Sequence, residues 1–170
     1  MPQSIQDGIE KGAISLVVAR MLLEIDEASA IFIADLFQQL TLGLNKQREI
    51  FQMAFEITER ENLTLWELLH QESFLNIIKD KELDKSKKTF QIRQWLKQRR
   101  YPALSLKLKT FDNNIAQLKL GNHIRLNPPA YFEGKKFNLS LNFSSRQHLV
   151  DFRDIIGRLT EDEYLTSILD

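Results

Sequence analysis

Apolar residues recur at intervals of three and four along most of the first hundred positions, and at intervals of two in one clear place. The first rhythm lays one side of a helix against a core, and the second does the same for a strand. Ser4 is positioned to cap a first helix that runs to Lys11 and stops at Gly12, and Ser15 to cap a second over 16–24. Asp26 opens a third helix over 27–40, with Ala30, Ile33, Ala34 and Phe37 on one face. Asn45 is the expected cap of a helix over 46–61 that aligns Ile50, Ala54 and Ile57. Thr64-Leu65-Trp66-Glu67 has the form of a capping box, with Leu68 and Leu69 inward, and residues 73–80 add a further turn or two.

Residues 81–88 are polar and charged and are expected to form a linker. Thr89 is the expected cap of a helix over 89–100, which sets Ile92, Trp95 and Leu96 on one side and Arg93, Lys97 and Arg100 on another. Pro102 ends it, because the residue before a proline is driven out of the helical region. Leu104, Leu108, Phe111, Ile115 and Leu118 then follow at spacings of four and three, the seam of a packed helix closed by Gly121. Residues 123–126 predict a short strand, and Pro128-Pro129 forbids its continuation. Phe137, Leu139, Leu141 and Phe143 alternate with Lys136, Asn138, Ser140 and Asn142, the pattern of a strand with one buried and one polar face. Ser144 with Gln147, and Thr160 with Glu163, have the spacing of capping boxes for two last helices, the first presenting Leu149, Phe152, Ile156 and Leu159.

The expected fold class is therefore α+β, mainly α. A bundle of short helices over 1–80 and a linker over 81–88 precede an α-β-β-α module over 89–170 with a two-stranded antiparallel sheet. Two strands alone are marginal in water. A second copy of the chain is the economical way to extend them, with Phe137, Leu139, Leu141, Phe143, Leu149, Phe152 and Ile156 as the dimerisation residues.

The 170 residues suffice to bury a core, and the apolar and charged fractions, 43% and 27%, are those of a globular chain. There is no apolar run of membrane-spanning length and no signal-peptide core, so no membrane partner is expected. With no cysteine, disulfides and thiolate metal sites are excluded, and a cytoplasmic location is expected. His70, His123 and His148 lack partners at metal-ligand spacing, and Glu59/Glu61 and Asp151/Asp154 read as solvated helix faces. No glycine-rich phosphate loop follows a strand. The sequence therefore predicts no catalytic residues, metal site or cofactor, and no enzyme.

Charge changes the picture. The chain is formally neutral, yet residues 79–109 hold eleven basic and three acidic residues, a net +8, against −7 for 1–78 and −1 for 110–170. Cations at helical spacing can neutralise phosphates without reading bases. The candidate DNA-binding residues are Lys88, Arg93, Lys97, Arg99, Arg100, Lys107 and Lys109. Trp95 is assigned to the core and Tyr101 to helix-end packing rather than to base stacking.

Two stretches near the N-terminus, Ile9-Glu10-Lys11-Gly12-Ala13-Ile14-Ser15 and Ala19-Arg20-Met21-Leu22-Leu23, carry a resemblance to a known family. So do the stretch from Leu42 to Glu49 and the block from Arg99-Arg100-Tyr101-Pro102 to Arg125-Leu126-Asn127-Pro128-Pro129-Ala130-Tyr131-Phe132-Glu133-Gly134. Together they resemble the part of ParB chromosome- and plasmid-partition proteins that follows the helix-turn-helix. The resemblance implies a cytoplasmic, nucleoid-associated module that makes non-specific DNA backbone contacts, dimerises through its C-terminal part and meets a partition or other protein partner. It implies either a stand-alone truncated relative or a piece of a larger one. The family's Gly-Glu-Arg-Arg phosphate motif is absent and Val18 stands where a histidine is common, so neither CTP chemistry nor operator reading carries over. The residues alone leave a second reading open. In it the chain is a protein-interaction module without DNA binding, whose basic stripe balances the acidic helical half.

Overall fold

The computed structural model describes residues 1–169. It is mainly helical with one two-stranded antiparallel sheet, and the chain divides into two compact units, Met1–Arg100 and Tyr101–Asp170.

The first unit holds α1 (Gln3–Glu10), α2 (Leu16–Leu22), α3 (Glu27–Gln39), α4 (Leu44–Glu61), α5 (Leu65–Leu69), α6 (Glu72–Lys79) and α7 (Lys85–Arg100). The expected caps at Ser15, Asp26 and Thr64 are present, each side chain accepting a backbone N–H of its own first turn. Others differ. Ser4 lies inside α1, its hydroxyl donating 2.8 Å to Asp35 of α3, and Gly43 rather than Asn45 precedes α4. Each helix turns its three-and-four stripe inward, so Ile5, Leu22, Ala34, Phe37, Met53, Ile57, Leu68 and Phe74 meet in one core. The Gln47 amide donates to the carbonyls of Ala13 (2.7 Å) and Leu42 (2.5 Å), pinning the start of α4 to two connections at once. Gly8 serves a close approach, because a Cβ there would lie 2.6 Å from the Ile14 side chain.

The predicted linker over 81–88 and the boundary drawn from it are corrected by the structure. The helix begins at Lys85, four residues before Thr89. Asp84 serves its N-terminus, accepting from the Lys87 amide at 2.8 Å, and Thr89 is a buried residue within the helix, donating to the Lys85 carbonyl. Charge density suggested a linker, but Ile92 and Leu96 are fully buried in the first unit's core, and burial decides where a unit ends. The division falls at Arg100–Tyr101.

The second unit holds α8 (Pro102–Leu118), β1 (Ile124–Asn127), a 3-10 turn (Ala130–Phe132), β2 (Asn138–Leu141), α9 (Arg146–Leu159) and α10 (Glu163–Leu169). Pro102 sits in the first turn of α8, where its missing N–H costs nothing. Ser145, not Ser144, caps α9 by accepting the His148 amide, and Asp162, not Thr160, accepts the Tyr164 amide at the start of α10. The strands pair antiparallel with Ile124 opposite Leu141 and Leu126 opposite Leu139, which puts all four on one face. Leu118, Leu120, Ile124, Phe152 and Leu159 form the small core. The expected burial of the β2 apolar face is not what the structure holds: Leu139 and Leu141 are 38% and 37% exposed and Phe143 is 60% exposed.

These observations predict that a fragment of residues 1–100 unfolds cooperatively on heating, followed by circular dichroism, whereas 1–80, lacking Ile92 and Leu96, does not. In the full chain Leu96→Ala should destabilise the first unit by about 2–5 kcal/mol.

Candidate functional site

The predicted basic stripe is built on α7, and its neighbour is α4. Partner residue numbers rise together on the two helices, from Glu49 with Arg93 to Glu61 with Arg99, so they run in the same sense. The Arg93 guanidinium grips Glu49 as a fork, Nε donating at 2.9 Å and Nη2 at 3.0 Å to the two carboxylate oxygens. Lys97 approaches the same carboxylate at 3.5 Å. Arg100 Nε lies 2.5 Å from Glu56. Arg99 donates to Glu61 from Nε (2.8 Å) and Nη2 (2.5 Å), also donates to Gln71, and lies 5.4 Å from the centre of the Trp95 ring. Trp95 belongs to the core side, as expected, its indole N–H donating to Ser73 at 3.0 Å.

Arg60 of α4 completes the arrangement. Its guanidinium pairs with Glu61 at 2.6 Å and donates to the carbonyls of Arg99 and Arg100, satisfying acceptors that the end of α7 leaves open. Lys88 does the same for α6, its ammonium reaching the Ile78 carbonyl at 2.5 Å. Five of the seven candidate DNA-binding cations, Lys88, Arg93, Lys97, Arg99 and Arg100, are therefore engaged within the first unit. Lys107 and Lys109 lie on α8 in the second unit and are exposed.

Reasoning from the sequence left out Glu49 and Glu56, and it read Glu61 with Glu59 as a solvated helix face, whereas Glu61 is held by Arg99 and Arg60. Glu49 and Glu56 are seven apart on one helix, the spacing of a single face, and that was the available signal. Burial acts to raise the Glu49 carboxyl, but the hydrogen bonds and charge of Arg93, with Lys97 behind it, outweigh this and hold it below its ordinary value of 4.5. At Glu61 the Arg99 hydrogen bonds are the largest influence, and with Arg60 they overcome burial and lower that carboxyl too.

The candidate dimerisation residues divide in two. Phe137, Leu139, Leu141, Phe143 and Leu149 are partly or largely exposed, whereas Phe152 is buried and Ile156 packs beside it in the unit's own core. Phe137 also stacks with Phe111, ring centres 6.2 Å apart. Of the histidines, His70 stacks on Trp66 at 3.6 Å, while the structure brings His123 and His148 face to face at 4.6 Å, a pairing that sequence spacing does not reveal. Among the described residues no group of three or more potential metal ligands is gathered, and no helix is long and apolar enough to cross a membrane. Compared with protein-family models, curated proteins and solved structures, the chain matches none of them.

Because the Glu49 and Glu61 carboxyls are lowered in the folded state, their contribution is complete above pH 4.5 and is lost as the pH falls through the folded values. Resistance of the first unit to urea should therefore fall on acidification below pH 4.5, and Glu49→Gln should flatten that dependence while costing about 1 kcal/mol at neutral pH. Arg93→Lys should recover only part of the loss seen in Arg93→Ala, since an ammonium cannot reproduce the fork.

Proposed function

We propose that this chain is a protein-interaction module, without DNA binding of its own, that associates with a second copy of itself through the C-terminal unit. The observation that carries the reading is the commitment of Arg93, Lys97, Arg99 and Arg100 to Glu49, Glu56 and Glu61. A phosphate that met a remaining donor would find a cation already neutralised, and one that took over the donors holding Glu49 or Glu61 would displace a carboxylate at hydrogen-bond distance. The exchange gives one charge-assisted bond for another and leaves a partly buried carboxylate behind. Of the eleven cations behind the local +8, Arg93, Lys97, Arg99 and Arg100 are countered by Glu49, Glu56 and Glu61, and residues 1–100 as a whole carry fourteen bases and fifteen acids.

Support for self-association comes from the second unit. Its sheet has two strands only, and Leu139, Leu141, Phe143 and Leu149 all stay exposed on or beside it. A small unit that leaves this much apolar surface open gains by covering it.

The ParB-like reading is the rival, and the remaining cations of its basic stretch are the exposed Lys79, Lys81, Lys85, Lys87, Lys107 and Lys109. A labelled duplex of arbitrary sequence, titrated at low and moderate salt, separates the two. The expected result is no saturable binding at either salt. Micromolar affinity that falls steeply with salt, and is lost when Lys85, Lys87, Lys107 and Lys109 are changed to Glu, would restore the DNA reading. Sedimentation of the same protein at tens of micromolar should give the mass of two chains.

A further inference from the structure

Residues 137–143 read Phe-Asn-Leu-Ser-Leu-Asn-Phe, the same in both directions, with Ser140 at the centre. We infer that β2 pairs antiparallel with β2 of a second copy about a two-fold axis through Ser140, so that the two-stranded sheet becomes a four-stranded one ordered β1-β2-β2-β1. This inference rests on the self-association proposed above and supplies its register.

The backbone parity agrees. The Asn142 amide donates to the His123 carbonyl at 2.8 Å, so the even-numbered residues Asn138, Ser140 and Asn142 direct their backbone groups toward β1. The odd-numbered residues Leu139 and Leu141 consequently direct their N–H and C=O to the opposite edge. Among the described residues no backbone hydrogen bond outside the β1–β2 pairing reaches either of them. Rotation about Ser140 sets Leu139 against Leu141 of the second copy, and Leu141 against its Leu139. Both are positions with outward backbone groups, as hydrogen-bonded antiparallel pairs require. Ser140 meets Ser140 as the intervening non-hydrogen-bonded pair. An axis midway between two residues would set inward groups against outward ones and lose every bond, and an axis through Leu139 or Leu141, which keeps the bonds, would pair Phe with Leu and Asn with Ser instead of like with like.

The side chains match as well. Each leucine meets a leucine, each asparagine an asparagine, and Phe137 meets Phe143 at both ends, so the apolar face continues across the axis. Exposed sheet edges are ordinarily protected by charge or proline, and 137–143 contains neither. The nearest like charge in the Ser140 row is Arg125, opposite Ser140 on β1. Its symmetry mate would lie three strand spacings away, about 14 Å, beyond the roughly 8–10 Å over which exposed charges act in moderate salt. The arrangement is isologous and closes at two copies.

Ser140→Cys tests the register directly, since the chain contains no other cysteine. Non-hydrogen-bonded antiparallel partners have Cα atoms about 4.5 Å apart, within disulfide reach. Mild oxidation of the full-length variant should give a covalent dimer. Asn138→Cys alone should not crosslink, whereas an equal mixture of Asn138→Cys and Asn142→Cys should. Ser140→Lys, which lines up four cations with Arg125 and its mate, should weaken self-association about fivefold or more, and mixing it with Ser140→Asp should restore it. Circular dichroism and urea unfolding would confirm that each variant keeps the wild-type fold. A chain that remains monomeric at tens of micromolar overturns both this inference and the self-association beneath it. A wild-type dimer in which Ser140→Cys fails to crosslink, or in which Asn138→Cys crosslinks by itself, overturns the register and leaves self-association standing.

Discussion

The fork between Arg93 and Glu49, continued by Lys97, Arg100 and Arg99, determines more about this protein than any other set of polar contacts. It lies beside a seam of buried aliphatic residues, with Ile92 and Leu96 on α7 and Ile57 and Met53 among the core residues of α4. The apolar seam supplies the driving force, and the ion pairs fix which turn of one helix meets which turn of the other. A slide of one turn would break all of these pairs together, although each in place contributes only about 1 kcal/mol. Their larger effect is on specificity of packing. They also neutralise at close range four of the cations that otherwise make the sequence look like a polyanion binder.

Much of this architecture was legible in the residues. The three-and-four periodicity located the helical elements, and Ser15, Asp26 and Thr64 capped where local chemistry said they would. The alternation over 137–143 located β2. What escaped was non-local. Nothing near Arg93 in sequence announces Glu49, because the pair is separated by forty-four positions and is made only when α5 and α6 bring the chain back. The charge run over 81–88 had the composition of a linker, but composition does not register that Ile92 and Leu96 are wholly enclosed. Caps shifted by one residue at Ser145, and by two at Asp162, where several oxygens compete for the same amides and the backbone turn decides between them.

The second unit shows the converse limit. A period of two predicts that one face of a strand seeks burial, not that the same chain provides it. Here α8 and α9 enclose Ile124 but leave Leu139 and Leu141 more than a third exposed. Periodicity thus reported an apolar demand correctly, and the fold shows that it is unmet within one unit.

Internal cancellation of charge also bears on kinetics. With residues 1–100 at a net −1 and residues 101–170 at a net +1, neither unit presents a strong monopole to a distant molecule. Long-range attraction, which can lift association rates by orders of magnitude, is therefore largely missing, and encounters proceed at the ordinary diffusive pace of neutral surfaces, about 10⁵–10⁶ M⁻¹s⁻¹. Whatever this protein holds, its selectivity then resides in how slowly the fitted surfaces part rather than in how fast they find each other.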